Sequence, residues 1–314
     1  MTTARPKPAV VVTGISGNLG REVAKQLHMR QERIIGLDRR PFPGKPKDLE
    51  HHQLDLRKKK AEDVFRRNEV RAVIHMGIMH DPRMSQEEHH SFNVVGTTRI
   101  LDYCAKHGVK KVVVLSSATV YGPSPDNSNF LTEDAPLMAA SRFPGMRDLI
   151  ELDMLANSFF WRRPDIETVI LRPVHIVGAN IKNAPSNYLR LERPWVMAGF
   201  DPMVQLISVE DVASALIEAL RPGLKGVYNV VGSGEVPLSS MLRELGRIAV
   251  PIPHPLARSL LNLLFRYRIA SFPPPELDYL QFLCAVDGSR WSRETGWKPR
   301  HSMRETIHTV VPEA

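Results

Sequence analysis

Short, almost unbroken apolar runs recur along the first half of the chain, each followed by a stretch with helical spacing. Residues 9–13 (AVVVT) come first, and runs at 33–37, 52–56, 71–75 (RAVIH), 111–115 (KVVVL) and 168–171 (TVIL) follow. Such runs, lacking strict alternation, predict strands buried on both faces, as in a parallel sheet. Helical patterns lie between them, most clearly at 91–107 and 147–160. Alternating strand and helix requires right-handed crossovers, with helices on both faces of one doubly wound sheet. Ligands of such sheets bind beyond the carboxyl ends of the strands.

The second half is less regular. Helices are expected at 209–220 and 238–248 and a strand at 226–231, interrupted by proline-rich stretches at 251–255 and 273–275. The pattern predicts a main α/β domain over 1–172, extending into parts of 203–231. Residues 173–314 then form mainly a smaller C-terminal substrate-binding lobe.

The first turn carries the clearest chemistry. TGISGNLG at 13–20 follows a buried strand and opens a helix, the context in which a glycine pattern cradles a dinucleotide. Gly14 permits the tight turn, Gly17 lets backbone N–H groups approach a pyrophosphate, and Gly20 lets the helix pack closely on the strand. Asn18 and Leu19 begin the helix, whose N-terminus favours the phosphate charge. The sheet is therefore expected to be of the Rossmann type. Asp38 ends the second strand, where a carboxylate accepts hydrogen bonds from ribose hydroxyls and repels a 2′-phosphate. Arg39 and Arg40 follow it and partly offset that repulsion. NAD is accordingly the expected cofactor, with NADP second. Asp55, with Leu56 beside it, is placed to meet the adenine.

Charge and composition narrow the partners. The net charge of +8 suits anionic ligands, yet the basic residues are scattered and the one dense run, 57–60, reads as a solvated helix end. No nucleic-acid partner is expected. The N-terminus lacks the apolar run of a signal peptide, no stretch is long enough to span a membrane, and Cys104 and Cys284 are the only cysteines. These features point to the cytoplasm. His80, Asp81, His89 and His90 match no metal-ligand spacing and read as a solvated loop, so no metal is expected. Leu256, Leu260, Leu263, Leu264 and Tyr267 share one helical face, read as core or homodimer contact in preference to a membrane surface.

The chain also resembles the extended short-chain dehydrogenase/reductase family, the NAD-dependent epimerases and dehydratases. The resemblance rests on TGISGNLG at 13–20, AVIHMG at 72–77, NVVGT at 93–97, LSSATVYG at 115–122, LRPVHIVG at 171–178, ISVEDVA at 207–213, NVVG at 229–232 and TGWKP at 295–299. It implies a cofactor site that also draws on Met76, Gly77, Asn93, Ser116, Arg147 and Pro173. It further implies that Ser117 polarises a carbonyl or hydroxyl of a small-molecule substrate. In the family a tyrosine and a lysine four residues apart then move the proton. In the register set by Glu151, those positions hold Phe143 and Arg147. Phenylalanine has no proton to exchange, and the charge of arginine is effectively permanent. Tyr121 and Tyr188 lack a lysine partner. Family members acting on sugar nucleotides carry an asparagine where this chain has His175 and a phosphate-binding arginine near Val204; only Arg190 and Arg193 offer substitutes. Two readings follow: an epimerase/dehydratase-like enzyme with an atypical mechanism, or a catalytically silent NAD-binding sensor or scaffold.

Overall fold

A computed structural model describes residues 7–79, 84–253 and 274–311, together with Leu261, Leu263, Arg266 and Tyr267. The apolar runs form β1 (Ala9–Thr13), β2 (Ile34–Asp38), β3 (Glu50–Gln53), β4 (Val70–His75), β5 (Lys111–Leu115) and β6 (Glu167–Pro173). Later strands are β7 (His175–Val177), β8 (Trp195–Met197), β9 (Met203–Val204), β10 (Leu206–Ser208), β11 (Gly226–Val230), β12 (Val236–Pro237) and β13 (Val250–Ile252). The principal helices are α1 (Asn18–Met29), α2 (Lys60–Arg67), α3 (Gln86–His90), α4 (Gly96–Lys106), α5 (Ala139–Arg142), α6 (Arg147–Arg162), α7 (Ala184–Arg190), α8 (Val209–Glu218) and α9 (Leu238–Glu244).

Seven strands make one sheet in the order β11-β6-β5-β4-β1-β2-β3. The pairs from β3 through to β6 are parallel. The strand order reverses at β1, which lies between β2 and β4, so the carboxyl end of β1 is the switch point of the sheet. This is the doubly wound Rossmann arrangement expected from the alternating pattern. β1 and β2 are buried throughout because helices cover both faces.

Two elements depart from the pattern. β3 begins two residues before the expected run, and its sequence EHHQ is only half buried. It is an edge strand paired to β2 alone. The apolar residues read there as strand belong to the turn that follows, where Leu54 N–H donates to the Asp38 carbonyl and Leu56 is buried. The helix expected from residue 91 instead starts at Gln86, under a capping box between Ser85 and Glu88, and passes through a π-helical turn at Ser91–Val95 into α4. His89 and His90 thus lie on α3, with His89 buried, not in a solvated loop. His80, Asp81 and most of the leucine pattern at 256–267 lie outside the described residues.

The chain divides into two compact units. The first comprises Met1–Ser116, Glu151–Leu171 and Ala213–Tyr228. Its core joins Val11, Ile35, Leu37, Val73, Ile100 and Val112, all essentially inaccessible to solvent. The second comprises Ser117–Ile150, Arg172–Val212 and Asn229–Ala314. Short strand pairs build part of it, β7 with β10, β9 with β12 and β8 with β13. Its core includes Val177, Leu206, Leu238, Met241 and Val310.

Candidate functional site

In the first unit the glycine turn is shaped by steric necessity. Gly14 has φ +74°, and a Cβ there would lie 2.8 Å from the Met76 carbonyl oxygen. A Cβ on Gly20 would lie 2.4 Å from the Gly14 carbonyl oxygen and 2.6 Å from Ile15 Cα, so no side chain fits. Gly17 differs: its nearest neighbours, both at 3.3 Å, are the tip of Arg40 and the Gly14 carbonyl oxygen. Gly17 is also the N-cap of α1, and no side chain caps that helix. No acidic residue occupies its first turn. Asn18 is exposed and Leu19 half-buried. An uncapped helix N-terminus beside a loop with space at Gly17 is a cradle suited to a pyrophosphate.

The strand ends around it are tied together. The Thr13 hydroxyl accepts from the N–H groups of Met76 and Gly77, each at 3.1 Å. A Cβ on Gly77 would touch Leu56 at 3.0 Å. Thr13 Oγ1 lies 2.7 Å from His75 Nδ1, and His75 Nε2 lies 2.9 Å from Thr97 Oγ1. Thr97 in turn donates to the Asn93 carbonyl. Because the Thr97 proton is committed there, Nε2 carries the imidazole proton and Nδ1 accepts from Thr13. Burial holds the His75 imidazole down to about 4, consistent with this neutral form. Asn93, on the π-helical turn, brackets residue 79, accepting from Met79 N–H and donating to its carbonyl, each at 2.7 Å.

Asp38 is almost fully buried. One of its oxygens accepts from Arg40 N–H (2.9 Å) and Nε (3.2 Å), the other from Ser16 N–H (3.0 Å) and Arg40 Nη2 (3.2 Å). Burial pushes this carboxyl up, but the hydrogen bonds and charge of Arg40, aided by Ser16, outweigh it and hold the group below the usual carboxylate range. Arg39 is exposed and lies over the Phe92 ring at 5.1 Å. Asp55 is engaged by Arg57 through its N–H and its guanidinium, which lowers the Asp55 carboxyl. Ser116 is buried and donates to Asp153 at 2.6 Å, a fully buried acid on α6 that the sequence reading did not single out.

In the second unit, Ser117 is the N-cap of a 3-10 turn, Ala118–Val120. Its Oγ accepts from Thr119 N–H (3.2 Å) and Thr119 Oγ1 (2.8 Å). With both lone-pair directions filled, the Ser117 proton is the part of the group left to act. Phe143 is half-buried at the C-cap of α5, and Arg147 is exposed at the first position of α6. α5 is drawn against the turn after Ser117. Met138 N–H donates to the Tyr121 carbonyl, and a Cβ on Gly122 would lie 2.7 Å from Ala139 Cα. Tyr121 is an anchor: its buried hydroxyl accepts from Arg172 and donates to Asn229, both at 2.8 Å. Tyr188 donates to the Trp195 carbonyl at 2.7 Å. Both phenols are held above their ordinary range by burial. Pro173 is buried at the end of β6.

The second unit also contains an open-sided cleft of about 30 Å³. Ala118, Val174, Met203, Val204, Phe282 and Cys284 supply its apolar walls. Burial pushes the Cys284 thiol up to about 12, so it is protonated. Thr119, His175, Gln205 and Tyr279 complete the lining. Gln205 is bound both ways to the Val286 backbone. Tyr279 donates to the Thr119 carbonyl and meets the edge of His175 at 5.4 Å. Desolvation holds the His175 imidazole down to about 4. Arg190, one of two substitutes for a phosphate-binding arginine, is committed elsewhere. It donates to the carbonyls of Val310, Ile181, Gly178 and Ala179 and to Asn187 Oδ1. Arg193 is exposed and does not line the cleft.

An uncharacterized protein of Mycobacterium tuberculosis is 28% identical, over 95% of this chain and 82% of that protein. The UDP-glucose 4-epimerase of Bacillus subtilis is 25% identical, over 95% of this chain and 94% of the enzyme. Among solved structures, MoeE5 in complex with UDP-glucuronic acid and NAD superposes with a TM-score of 0.74 at 22% identity. That match covers 96% of this chain and 97% of the other. The glycine cradle, the strand order and a family profile that matches residues 10–231 agree: the chain belongs to the NAD dependent epimerase/dehydratase family.

Proposed function

We propose that this chain binds NAD through the glycine cradle of its first unit and acts on a small hydroxyl- or carbonyl-bearing substrate through Ser117. Gly14, Gly17 and Gly20 hold the pyrophosphate against α1, Asp38 takes the ribose hydroxyls in place of the exposed Arg40 guanidinium that now occupies its oxygens, and the turn at Asp55 and Leu56 takes the adenine. Held there, NAD would supply the hydride acceptor or donor for the substrate. The observation that carries the reading is the hydrogen bonding of Ser117. Its oxygen is filled by two donors from Thr119, so it presents a proton to a substrate oxygen and polarises a carbonyl. Arg147 is a permanent cation for the nicotinamide ribose. With Phe143 in place of a phenol, the proton moves through solvent, which is the atypical feature of the mechanism. Exposed Met154 and Trp161 on α6 favour a homodimer, and the two unpaired cysteines favour the cytoplasm.

A second reading has its own support. Phe143 removes the general acid/base, an effect of ~10²–10⁴ in rate, as expected of a sensor or scaffold that binds NAD without turnover. The test is a screen of alcohols and carbonyl compounds with the purified protein, following NADH by absorbance. Turnover that falls about 100-fold in Ser117→Ala supports the enzyme. NAD binding with no turnover across the screen supports the sensor, and turnover untouched by Ser117→Ala refutes the assigned role of Ser117.

A further inference from the structure

The cleft of the second unit carries an inference about what it accepts. Among the described residues, no charged side chain lines it. The arginines on the neighbouring elements are committed: Arg190 to four backbone carbonyls and Asn187, and Arg172 to the Tyr121 hydroxyl and the Glu133 carbonyl. A diphosphate placed here would lose its water without gaining a cation, a cost of several kcal/mol per charge. An uncharged apolar group meets the opposite situation, because the walls are aliphatic, aromatic or a protonated thiol. Of the polar side chains in the lining, Gln205 and Thr119 already serve the protein itself. His175 does not: its ring meets Tyr279 edge-on, and neither nitrogen has a hydrogen-bond partner among the described residues. The imidazole is half-buried in the lining, so both of its nitrogens are left to a ligand that enters the cleft.

We propose that this cleft binds the uncharged, largely apolar end of a small alcohol or ketone, not a nucleoside diphosphate sugar, and that His175 is the residue that hydrogen-bonds its oxygen. The inference rests on the reading of the second unit as the substrate side of the protein and names the class of that substrate. The imidazole is neutral, so one nitrogen donates to a ketone and the other accepts from an alcohol. The small cleft admits a few non-hydrogen atoms, which selects a compact group.

Saturation-transfer NMR on the full chain, with and without NAD, tests this with cyclopentanol, cyclopentanone and UDP-glucose as probes. Both cyclopentyl compounds should give saturable signals, and UDP-glucose none. Met203→Trp, which fills the cleft, should abolish those signals, with Val204→Trp as a second filling variant. His175→Phe keeps the ring and its packing on Tyr279 but should weaken cyclopentanol roughly five- to tenfold, the loss of one hydrogen bond. His175→Asn, which restores a donor and an acceptor, should bind within about twofold of the wild type. Saturable UDP-glucose binding that a filling variant removes overturns the proposal. So does silence from both cyclopentyl compounds, or wild-type affinity in His175→Phe. Separate NAD calorimetry keeps the two readings apart: NAD binding without cyclopentanol binding defeats only this inference, and the reverse defeats only the proposed NAD chemistry.

Discussion

At the residue scale, the three loop glycines are unequal. A Cβ at Gly20 collides with backbone, which cannot give way, whereas one at Gly17 meets a flexible arginine tip and a single carbonyl oxygen. Gly20→Val should therefore lower the melting temperature sharply or prevent folding. Gly17→Val should leave thermal unfolding nearly unchanged and abolish NAD binding by calorimetry. Asp38 and Arg40 set a second expectation. The ion pair keeps Asp38 charged and holds the Arg40 guanidinium against it; on the proposed NAD reading, this cation would also attract a 2′-phosphate. Wild type should bind NAD more tightly than NADP, and Arg40→Ala should widen that preference about tenfold by leaving the carboxylate uncompensated. Parallel titrations with both cofactors decide this, and an unchanged ratio would remove Arg40 from the argument. The pair Phe143→Tyr and Arg147→Lys restores a phenol and an ammonium four residues apart. The nearby positive charge favours the phenolate at neutral pH, so the double variant should gain slow NAD reduction with an alcohol from the screen.

At the element scale, the chain of bonds from Thr13 on β1 through His75 on β4 to Thr97 on α4 joins three elements of the first unit at the switch point. In the folded protein His75 and His175 are held down to about 4, against about 6.5 for a free imidazole. The unfolded chain therefore takes up protons first as pH falls. The stabilising contribution is fully present above pH 6.5 and is lost as pH falls through the window to about 4. At full depth the fully buried His75 contributes on the order of 3 kcal/mol. Urea unfolding at a series of pH values should show stability falling from pH 6.5 to 4, with a shallower fall in His75→Gln. An identical slope in that variant would show that His75 does not carry the effect.

For the whole molecule, what was legible in the sequence is what depends on local pattern. Unbroken apolar runs specify strands covered on both faces, and their alternation with helices leaves the doubly wound sheet as the solution. The capping box at Ser85 and Glu88 was equally readable, and would have placed the start of α3. Other features were beyond a linear reading because their partners lie far apart in the chain. Lys111 opens an apolar strand, yet its ammonium is buried among Glu167 and the carbonyls of Arg221 and Leu224. Asp153 looks like any helical acid until Ser116 is found against it. The sequence by itself determined the sheet, the glycine turn and the absence of a phenol at position 143, because periodicity, steric room and side-chain chemistry are written residue by residue. Only the tertiary structure decided that Arg190 is committed to carbonyls, that Thr119 donates to the Ser117 oxygen, and that His175 lines a cleft with no charged side chain among the described residues. A hydrogen-bonding group becomes available or occupied only when the fold brings its neighbours to it.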